Sequence, residues 1–513
     1  MSNTVPRSAK SLFIAMVICT GLAMPSFSQT LGSINFGTSG SPAAQPAFSE
    51  GAKDLYSFEF DEAAVVFQKA EAADPGFAMA YWGEAMSFNH PLWAEVDVDK
   101  AKKALEKLAP TAEERVAKAK TPKEKAYIDA VNQLFYTPGD KLARDTAYSK
   151  AMEGMYNKWQ DDPEVDTLYA LSLLGTVRPA DTGFRRQALA AAICMKVFQA
   201  NPDHPGAAHY IIHAFDDPDH AILALPAARA YARIAPSAPH ALHMPTHIFL
   251  RLGLWDDVVK SNIVAYNAAV ALNERMHLPE GREDFHTLGW LEYGNLMLGN
   301  FDDAKKNLDA AKAADARNPN ARNVHEGYLG MRARYILETG TWEKIELQPA
   351  SVAPAGMDGG VYPGTGAWTF IAGLSAAKLG DLPAADQAVA QLLTMQQQVE
   401  NGRNAYAAKP FAIMAKELAA EIQLARGQKD EAVKLAKEAA DIDATLAPPS
   451  GPPEPIKPGT ELYGDILVAT GHAKEAAAAY EQQLLRTPNR TPTMKSLASA
   501  NGTQPGMAMA GHR

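Results

Sequence analysis

Two pairs of histidines with the same spacing are the residues of this chain best suited to carry chemistry. His209 and His213 are four residues apart, as are His243 and His247, and the two pairs are offset by 34 residues. Four residues make about one turn of an α-helix, so each pair is predicted to lie on one helix face. Seven of the chain's 13 histidines fall between positions 204 and 247. This concentration indicates a metal site, because neutral imidazole is the commonest metal ligand.

The spacing predicts one site between neighbouring helices. Packed helices lie about 8–10 Å apart, so imidazoles on their facing sides can meet at one ion. Three or four imidazoles are expected to bind the ion, with His240 or Asp216 completing the shell. The predicted metal ligands are His209, His213, His240, His243 and His247.

The chemistry of such a site depends on the metal and on whether a coordination position stays open. Imidazole sites suit several transition metals, and copper or zinc is expected here. Export and the neighbouring Met244 would favour copper, although Met244 fits the pattern of a core residue as well. An open position would activate water or dioxygen, as in a hydrolase or an oxidase. Asp216 would then orient a ligand or accept a proton. Arg251 would hold either an anionic substrate group or the carboxylate of Asp216.

The elements that must position these residues are predicted to be helices throughout. Alanine, leucine, lysine, glutamate and glutamine dominate the chain, and no sustained period-two segment is present. A glycine recurs at the predicted helix-to-helix turns, at spacings of 46, 41, 40, 47 and 44 residues. These glycines are Gly253, Gly299, Gly340, Gly380, Gly427 and Gly471. The sequence therefore predicts an all-α chain of repeated helix pairs.

The turns resemble those of tetratricopeptide repeats. The segment from Phe60 to Pro75 matches the second helix of such a repeat, and Tyr480 and Pro488 complete the last copy. The chain is also similar to a bacterial family of exported repeat proteins with His-Pro-Gly-Ala, Ile-His-Ala and His-Met-Pro-Thr-His-Ile segments. The resemblance covers most of residues 51–490. It implies a right-handed helical solenoid with a concave groove, and it implies no particular activity.

The repeat register places the histidines on the predicted inner surface. Gly253, Pro236 and Gly299 anchor three successive units, and in such repeats positions 2, 5 and 9 of the first helix face the groove. Positions 5 and 9 carry His209 and His213 in one unit and His243 and His247 in the next, while position 2 carries His240 and His286. Pro245 interrupts this pattern. It is predicted either to kink the helix or to be the first residue of one.

The first 28 residues are predicted to be a secretory signal peptide. Arg7 and Lys10 precede a short apolar stretch, and the small residues before Gln29 suit cleavage there. Loss of these two basic residues would change the net charge from −10 to −12. An acidic chain argues against nucleic acid as a partner, and no later segment is apolar enough to enter a membrane. The expected location is the periplasm, and Cys194 would be the only cysteine left.

The predicted organisation has three parts after the signal peptide. They are a linker at 29–50, a solenoid at 51–490 with a histidine-rich centre at 201–290, and a disordered tail at 491–513. The loop at 348–366 is predicted to fold across the groove, and the proline-rich segment 447–459 to be a stiff spacer. The alternative to a metal centre is a periplasmic scaffold whose groove binds a peptide or a protein without catalysis; a small anionic substrate in the groove would belong to the catalytic alternative.

Overall fold

The computed structural model describes residues 30–93, 95–178, 181, 183–347, 363–401 and 405–503. The predicted signal peptide, most of the loop at 348–366 and the last ten residues lie outside the described residues.

Within those ranges the chain is a succession of helices. The first group is α1 (Gln45–Tyr56), α2 (Phe60–Ala73), α3 (Ala78–Met86), α4 (Val98–Leu108), α5 (Ala112–Lys118), α6 (Pro122–Tyr136), α7 (Lys141–Lys158), α8 (Pro163–Gly175) and α9 (Arg185–Ala200). The central group is α10 (Pro205–Ala214), α11 (Ala221–Ile234), α12 (Pro239–His243), α13 (Pro245–Arg251), α14 (Trp255–Met276), α15 (Glu283–Leu298), α16 (Phe301–Arg317) and α17 (Arg322–Thr339). The last group is α18 (Pro363–Lys378), α19 (Leu382–Asn401), α20 (Ala405–Ala425), α21 (Lys429–Asp443), α22 (Gly459–Thr470), α23 (Ala473–Arg486) and α24 (Thr491–Ala500).

Two very short strands are the described exception to the helical pattern. Strands β1 (Asn89–His90) and β2 (Glu95–Val96) pair antiparallel across the 3₁₀ turn Pro91–Trp93. Elsewhere in the described ranges each helix packs mainly on its neighbours along the chain. The fold is therefore an all-α helical-repeat solenoid, as the sequence predicted. No described helix combines the length and the apolar character that a membrane crossing requires.

The repeat glycines close the helix pairs as predicted. All six have positive φ, from 66° at Gly253 and Gly340 to 97° at Gly471. At Gly299 the amide donates to the carbonyl of Leu296, and the next amide donates back to that of Asn295. This is a Schellman cap, which needs a residue in the left-handed conformation that glycine adopts without strain.

The segment predicted as an N-terminal linker is part of the core. Leu31 and Phe36 are buried, and helix α1 already begins at Gln45. The amide of Ser33 donates to the carbonyl of Asp203 at 2.9 Å. The prediction of a linker at 29–50 was wrong because the apolar side chains of this segment belong to the first core cluster, a set of buried residues between Leu31 and Ala304.

The predicted disordered tail was also wrong for residues 491–500, which form helix α24. Arg490 precedes this helix and is 1% exposed. Its guanidinium contacts Glu461 at 2.8 Å and Glu338 at 2.6 Å. These buried ion pairs hold the segment against α17 and α22, which explains why it is ordered.

The proline-rich segment 447–459 folds back on the molecule instead of acting as a spacer. A Cβ atom added to Gly451 would lie 2.6 Å from Cζ2 of Trp290. Ile456 is buried in the second core cluster, whose other members lie on α15 to α20. Trp290 belongs to α15, which contributes side chains to both large core clusters. Helix α15, which carries His286, therefore lies where these two parts of the core meet.

Candidate metal centre

Four helices bring six histidines into one continuous set, the histidine band. It consists of His209 and His213 on α10, His240 and His243 on α12, His247 on α13 and His286 on α15. Neighbouring rings in the band have centroids 4.7 to 6.3 Å apart. All six histidines that the repeat register placed on one surface are thus brought together.

Local sequence explains where these helices begin. Pro205 is the first residue of α10, and a ring nitrogen of His204 accepts from the amide of Ala207 at 3.1 Å. Pro245 is likewise the first residue of α13, as one of its two predicted alternatives had it. Met244 between α12 and α13 has helical φ and ψ of −51° and −36°, so the backbone stays helical across the junction.

The first triad consists of His209, His213 and His240. One ring nitrogen of each lies within 4.8 Å of the other two. His209 donates from Nδ1 to the carbonyl of Tyr56 at 2.7 Å, and Nδ1 of His240 lies 3.4 Å from a carboxylate oxygen of Glu283. These acceptors place the ring protons on Nδ1 and leave lone pairs on Nε2. The Nε2 atoms of all three histidines are buried and have no hydrogen-bond partner among the described residues.

Burial also keeps these rings in the form that binds metal. It lowers the pKa of His209 and His213 well below the usual histidine range, and the neighbouring histidines lower it further. Both imidazoles are therefore neutral at neutral pH, with lone pairs free to bind an ion.

The second triad consists of His243, His247 and His286, which again offer three ligand atoms within 4.8 Å of one another. His243 donates from Nδ1 to Oδ1 of Asn262 at 2.8 Å. His247 donates from Nδ1 to Oδ2 of Asp216 at 2.7 Å. The Nε2 atoms of His243 and His286 lie 3.0 Å apart. Two of the three rings are thus fixed from behind, as in the first triad.

Asp216 and Arg251 lie behind His247. The guanidinium donates from Nε to Oδ1 of Asp216 at 3.0 Å and from Nη2 to the main-chain carbonyl of Asp216 at 3.0 Å. Burial alone would raise the pKa of Asp216, but Arg251 and His247 hold it below its usual range. Arg251 is 3% exposed, so of its two predicted roles the structure has the one in which it binds Asp216. Asp216 itself orients His247.

The grouping of the ligands differs from the single five-histidine site that the sequence predicted. His240 joins His209 and His213, whereas His243 and His247 are completed by His286, which was left out of the predicted ligand set. The signal for His286 was present, because the register places it at position 2 like His240. Met244 is buried in the apolar core, so it is a core residue and lends copper no support.

Each triad has an aromatic wall. Phe58 lies 4.4 Å from His209 and 5.6 Å from both His213 and His240, measured between ring centroids. Its φ of 59° is in the left-handed region, which non-glycine residues rarely adopt and which costs about 1–3 kcal/mol. This backbone conformation lies in the turn between α1 and α2, beside the first triad.

The wall of the second triad is Trp290. Its ring centroid lies 4.4 Å from that of His247, 5.0 Å from that of His243 and 5.6 Å from that of His286. The segment around Gly451 covers the indole. His286 is the exposed member of this triad.

Fold and site together define a helical-repeat protein with two histidine triads at adjacent repeat interfaces. No family model matches the chain, and no curated protein matches it by sequence.

Solved structures of tetratricopeptide-repeat proteins are similar to it. Yeast Tom70 has 11% identity and a TM-score of 0.34 over 90% of this chain and 88% of its own. A human IFIT1 dimer with m7Gppp-AAAA has 14% identity and a TM-score of 0.35 over 84% and 94%, respectively. The TPR domain of P58(IPK) has 10% identity and a TM-score of 0.23 over 91% and 99%. Similarity at this level carries nothing about function.

Proposed function

We propose that the first triad binds a transition-metal ion. The observation that supports this most directly is the set of three buried Nε2 atoms without a partner, on His209, His213 and His240. An unsatisfied buried polar atom costs about 1–3 kcal/mol, and here three such atoms belong to rings whose ligand atoms lie within 4.8 Å of one another. A single ion would satisfy all three lone pairs.

The surroundings of the triad suit this role. Histidine ligands of metals commonly donate their other ring proton to a carbonyl or a carboxylate, which fixes the ring and strengthens the ligand. The Tyr56 carbonyl does this for His209, and the Glu283 carboxylate does it for His240. Zinc and copper both suit all-imidazole sites.

Three protein ligands leave a coordination position for water or substrate. This is the arrangement of catalytic zinc sites, whereas structural zinc sites are closed by a fourth protein ligand. An ion held by these three imidazoles would supply Lewis-acid or redox chemistry, so hydrolysis or oxidation is the proposed class of reaction. Phe58 lines one side of the triad, and Trp93 lies nearby, 48% exposed with its ring 5.9 Å from His240. We therefore propose that this end of the site accommodates an apolar group.

The test is the affinity for Zn²⁺ of the purified mature protein, measured by competition with a chelator. His213→Ala is the informative variant, because this ring is partly exposed and its loss disturbs the core least. Loss of a residue that only hydrogen-bonds a metal ligand already costs about 10–100-fold in affinity, so loss of a ligand itself should weaken this site more than about 100-fold. His325→Ala is the matched control, since that ring is 51% exposed and pairs with Asp315 outside the band.

Tight binding that His213→Ala leaves unchanged would refute the assignment to this triad. A mature protein that binds no Zn²⁺ and no Cu²⁺ would leave the scaffold function, with a peptide or protein in the groove, as the better account.

A further inference from the structure

We infer that the second triad is a second metal site, and that it is the image of the first triad one repeat further along the solenoid. The inference rests on the proposed function for its ligand chemistry, since both sites use three imidazoles. Its own support is the geometry of His243, His247 and His286, whose ligand atoms lie within 4.8 Å of one another.

The correspondence between the triads holds residue by residue. Each triad takes positions 5 and 9 from the first helix of one repeat and position 2 from the first helix of the next. His209, His213 and His240 of the first triad correspond to His243, His247 and His286 of the second. The same relation between stacked first helices therefore generates both sites.

The correspondence ends on both sides of the band. Position 2 in the repeat of His209 is Gly206, so no triad forms one repeat earlier. Positions 5 and 9 in the repeat of His286 are Gly289 and Tyr293, so none forms one repeat later. Two adjacent interfaces carry a complete ligand set, and the repeats that flank them lack one.

The second triad has its own support. Asn262 accepts the Nδ1 proton of His243, and Asp216 accepts that of His247, so both rings present Nε2 to the ligand side. Arg251 in turn fixes Asp216 with two hydrogen bonds. A carboxylate behind a histidine strengthens that histidine as a ligand. This arrangement is typical of a metal-binding histidine.

The proton between His243 and His286 shows what binding requires. Because His243 carries its proton on Nδ1, the 3.0 Å contact between the two Nε2 atoms is a hydrogen bond donated by His286. Ligation through Nε2 of His286 moves this proton to Nδ1 of the same ring. The step is a tautomer change without net change of charge. Nothing else in this triad must change its protonation.

The test is a Co²⁺ titration of the metal-free mature protein, followed by the visible absorption of the bound ion. The wild type is expected to take up about two equivalents, one for each three-histidine set. His286→Ala and His213→Ala are each expected to take up about one equivalent, and the double variant none. His325→Ala should behave as the wild type does. Circular dichroism of each variant checks that it stays helical.

The outcomes separate this inference from the proposed function. A wild type that binds one equivalent, lost in His213→Ala and kept in His286→Ala, overturns the second site and leaves the first. If the wild type binds one equivalent that is lost in His286→Ala and kept in His213→Ala, the second triad is supported as a metal site and the first triad is overturned as one. A protein that binds no Co²⁺ overturns both.

Discussion

Individual residues behind the histidines decide how each ring is presented. Glu283 is the instructive case, because it is the first residue of α15 and yet serves His240 on α12. Its carboxylate holds the ring of the first triad from the next repeat. The orientation and ligand strength of a histidine between two repeats therefore depend on residues of the next repeat as well as on its own helix.

Glu283→Gln should weaken Zn²⁺ binding at the first triad by about 10-fold, because an amide oxygen still accepts the proton of His240 but brings no charge. The measurement is chelator competition on the folded variant. Glu280→Gln is the control, since Glu280 contacts Arg317 and Asn318 away from the band. Equal affinities for the two variants would contradict the role given to Glu283.

Glu417 on α20 gives a prediction for pH that does not depend on metal. Both of its carboxylate oxygens are buried without a hydrogen-bond partner among the described residues. Burial raises the pKa of this carboxyl well above its usual range, and Asp443 raises it further. The folded state therefore holds a proton that the unfolded state loses above about pH 4.3.

The protonated carboxyl contributes its full stability below about pH 4.3. As pH rises from there towards the folded-state pKa, the free energy of unfolding should fall by about 1.4 kcal/mol per pH unit. Glu417→Gln removes the titrating group. Relative to the wild type, its free energy of unfolding should therefore increase between pH 5 and pH 7. Urea unfolding at three pH values measures this, and a difference that is constant with pH would rule the explanation out.

Short segments between helices set how the triads are covered. The segment 447–459 closes over Trp290 because only a residue without a side chain fits at Gly451. Gly451→Ala should destabilise the protein by about 1–3 kcal/mol through overpacking against the indole. Gly154→Ala, a helical glycine with no atom within 4 Å of an added Cβ, should instead stabilise it by about 0.5–1 kcal/mol. Thermal unfolding of the two variants compares them directly.

Much of the arrangement of the helices could be predicted from the sequence, because the glycines at turns and the spacing of the histidines are local signals. The six left-handed glycines and the surface shared by the histidines follow from the repeat register. The grouping into triads does not, since it depends on how far one first helix is shifted against the next. The partners Asn262 and Glu283 were missed for the same reason: their contacts form only when α12 packs on α14 and α15.

At the scale of the whole molecule, the C-terminal segment ties the solenoid to its own middle. The indole nitrogen of Trp255 donates to the carbonyl of Asn489 at 3.2 Å, although these residues are 234 positions apart. Arg490 then contacts Glu338, Glu461 and the hydroxyl of Tyr293. Repeat proteins usually hold together through nearest neighbours alone, so this long-range contact makes distant repeats depend on each other. No local pattern in the sequence announces it.

Arg490→Ala should reduce the free energy of unfolding by about 3–5 kcal/mol, because it leaves buried carboxylates without their cation. Urea unfolding followed by circular dichroism measures the change. Arg486→Ala provides a comparison on α23, since Arg486 is 17% exposed and contacts Asp443 at 3.3 Å. If Arg490→Ala lost no more free energy of unfolding than Arg486→Ala, the contacts of Arg490 with the middle of the solenoid would contribute little to stability.

The position of Trp290 gives the protein an optical property. Indole fluorescence is quenched by a nearby paramagnetic ion, and the ring of Trp290 lies 4.4 Å from that of His247 and 5.0 Å from that of His243. An ion in the second triad would darken this one emitter among the chain's seven tryptophans. Cu²⁺ would then quench the emission of Trp290, whereas diamagnetic Zn²⁺ at the same occupancy would leave it unquenched. Trp290 is thus an intrinsic fluorescent probe of the second triad, and metal binding there can be followed by emission without an added label.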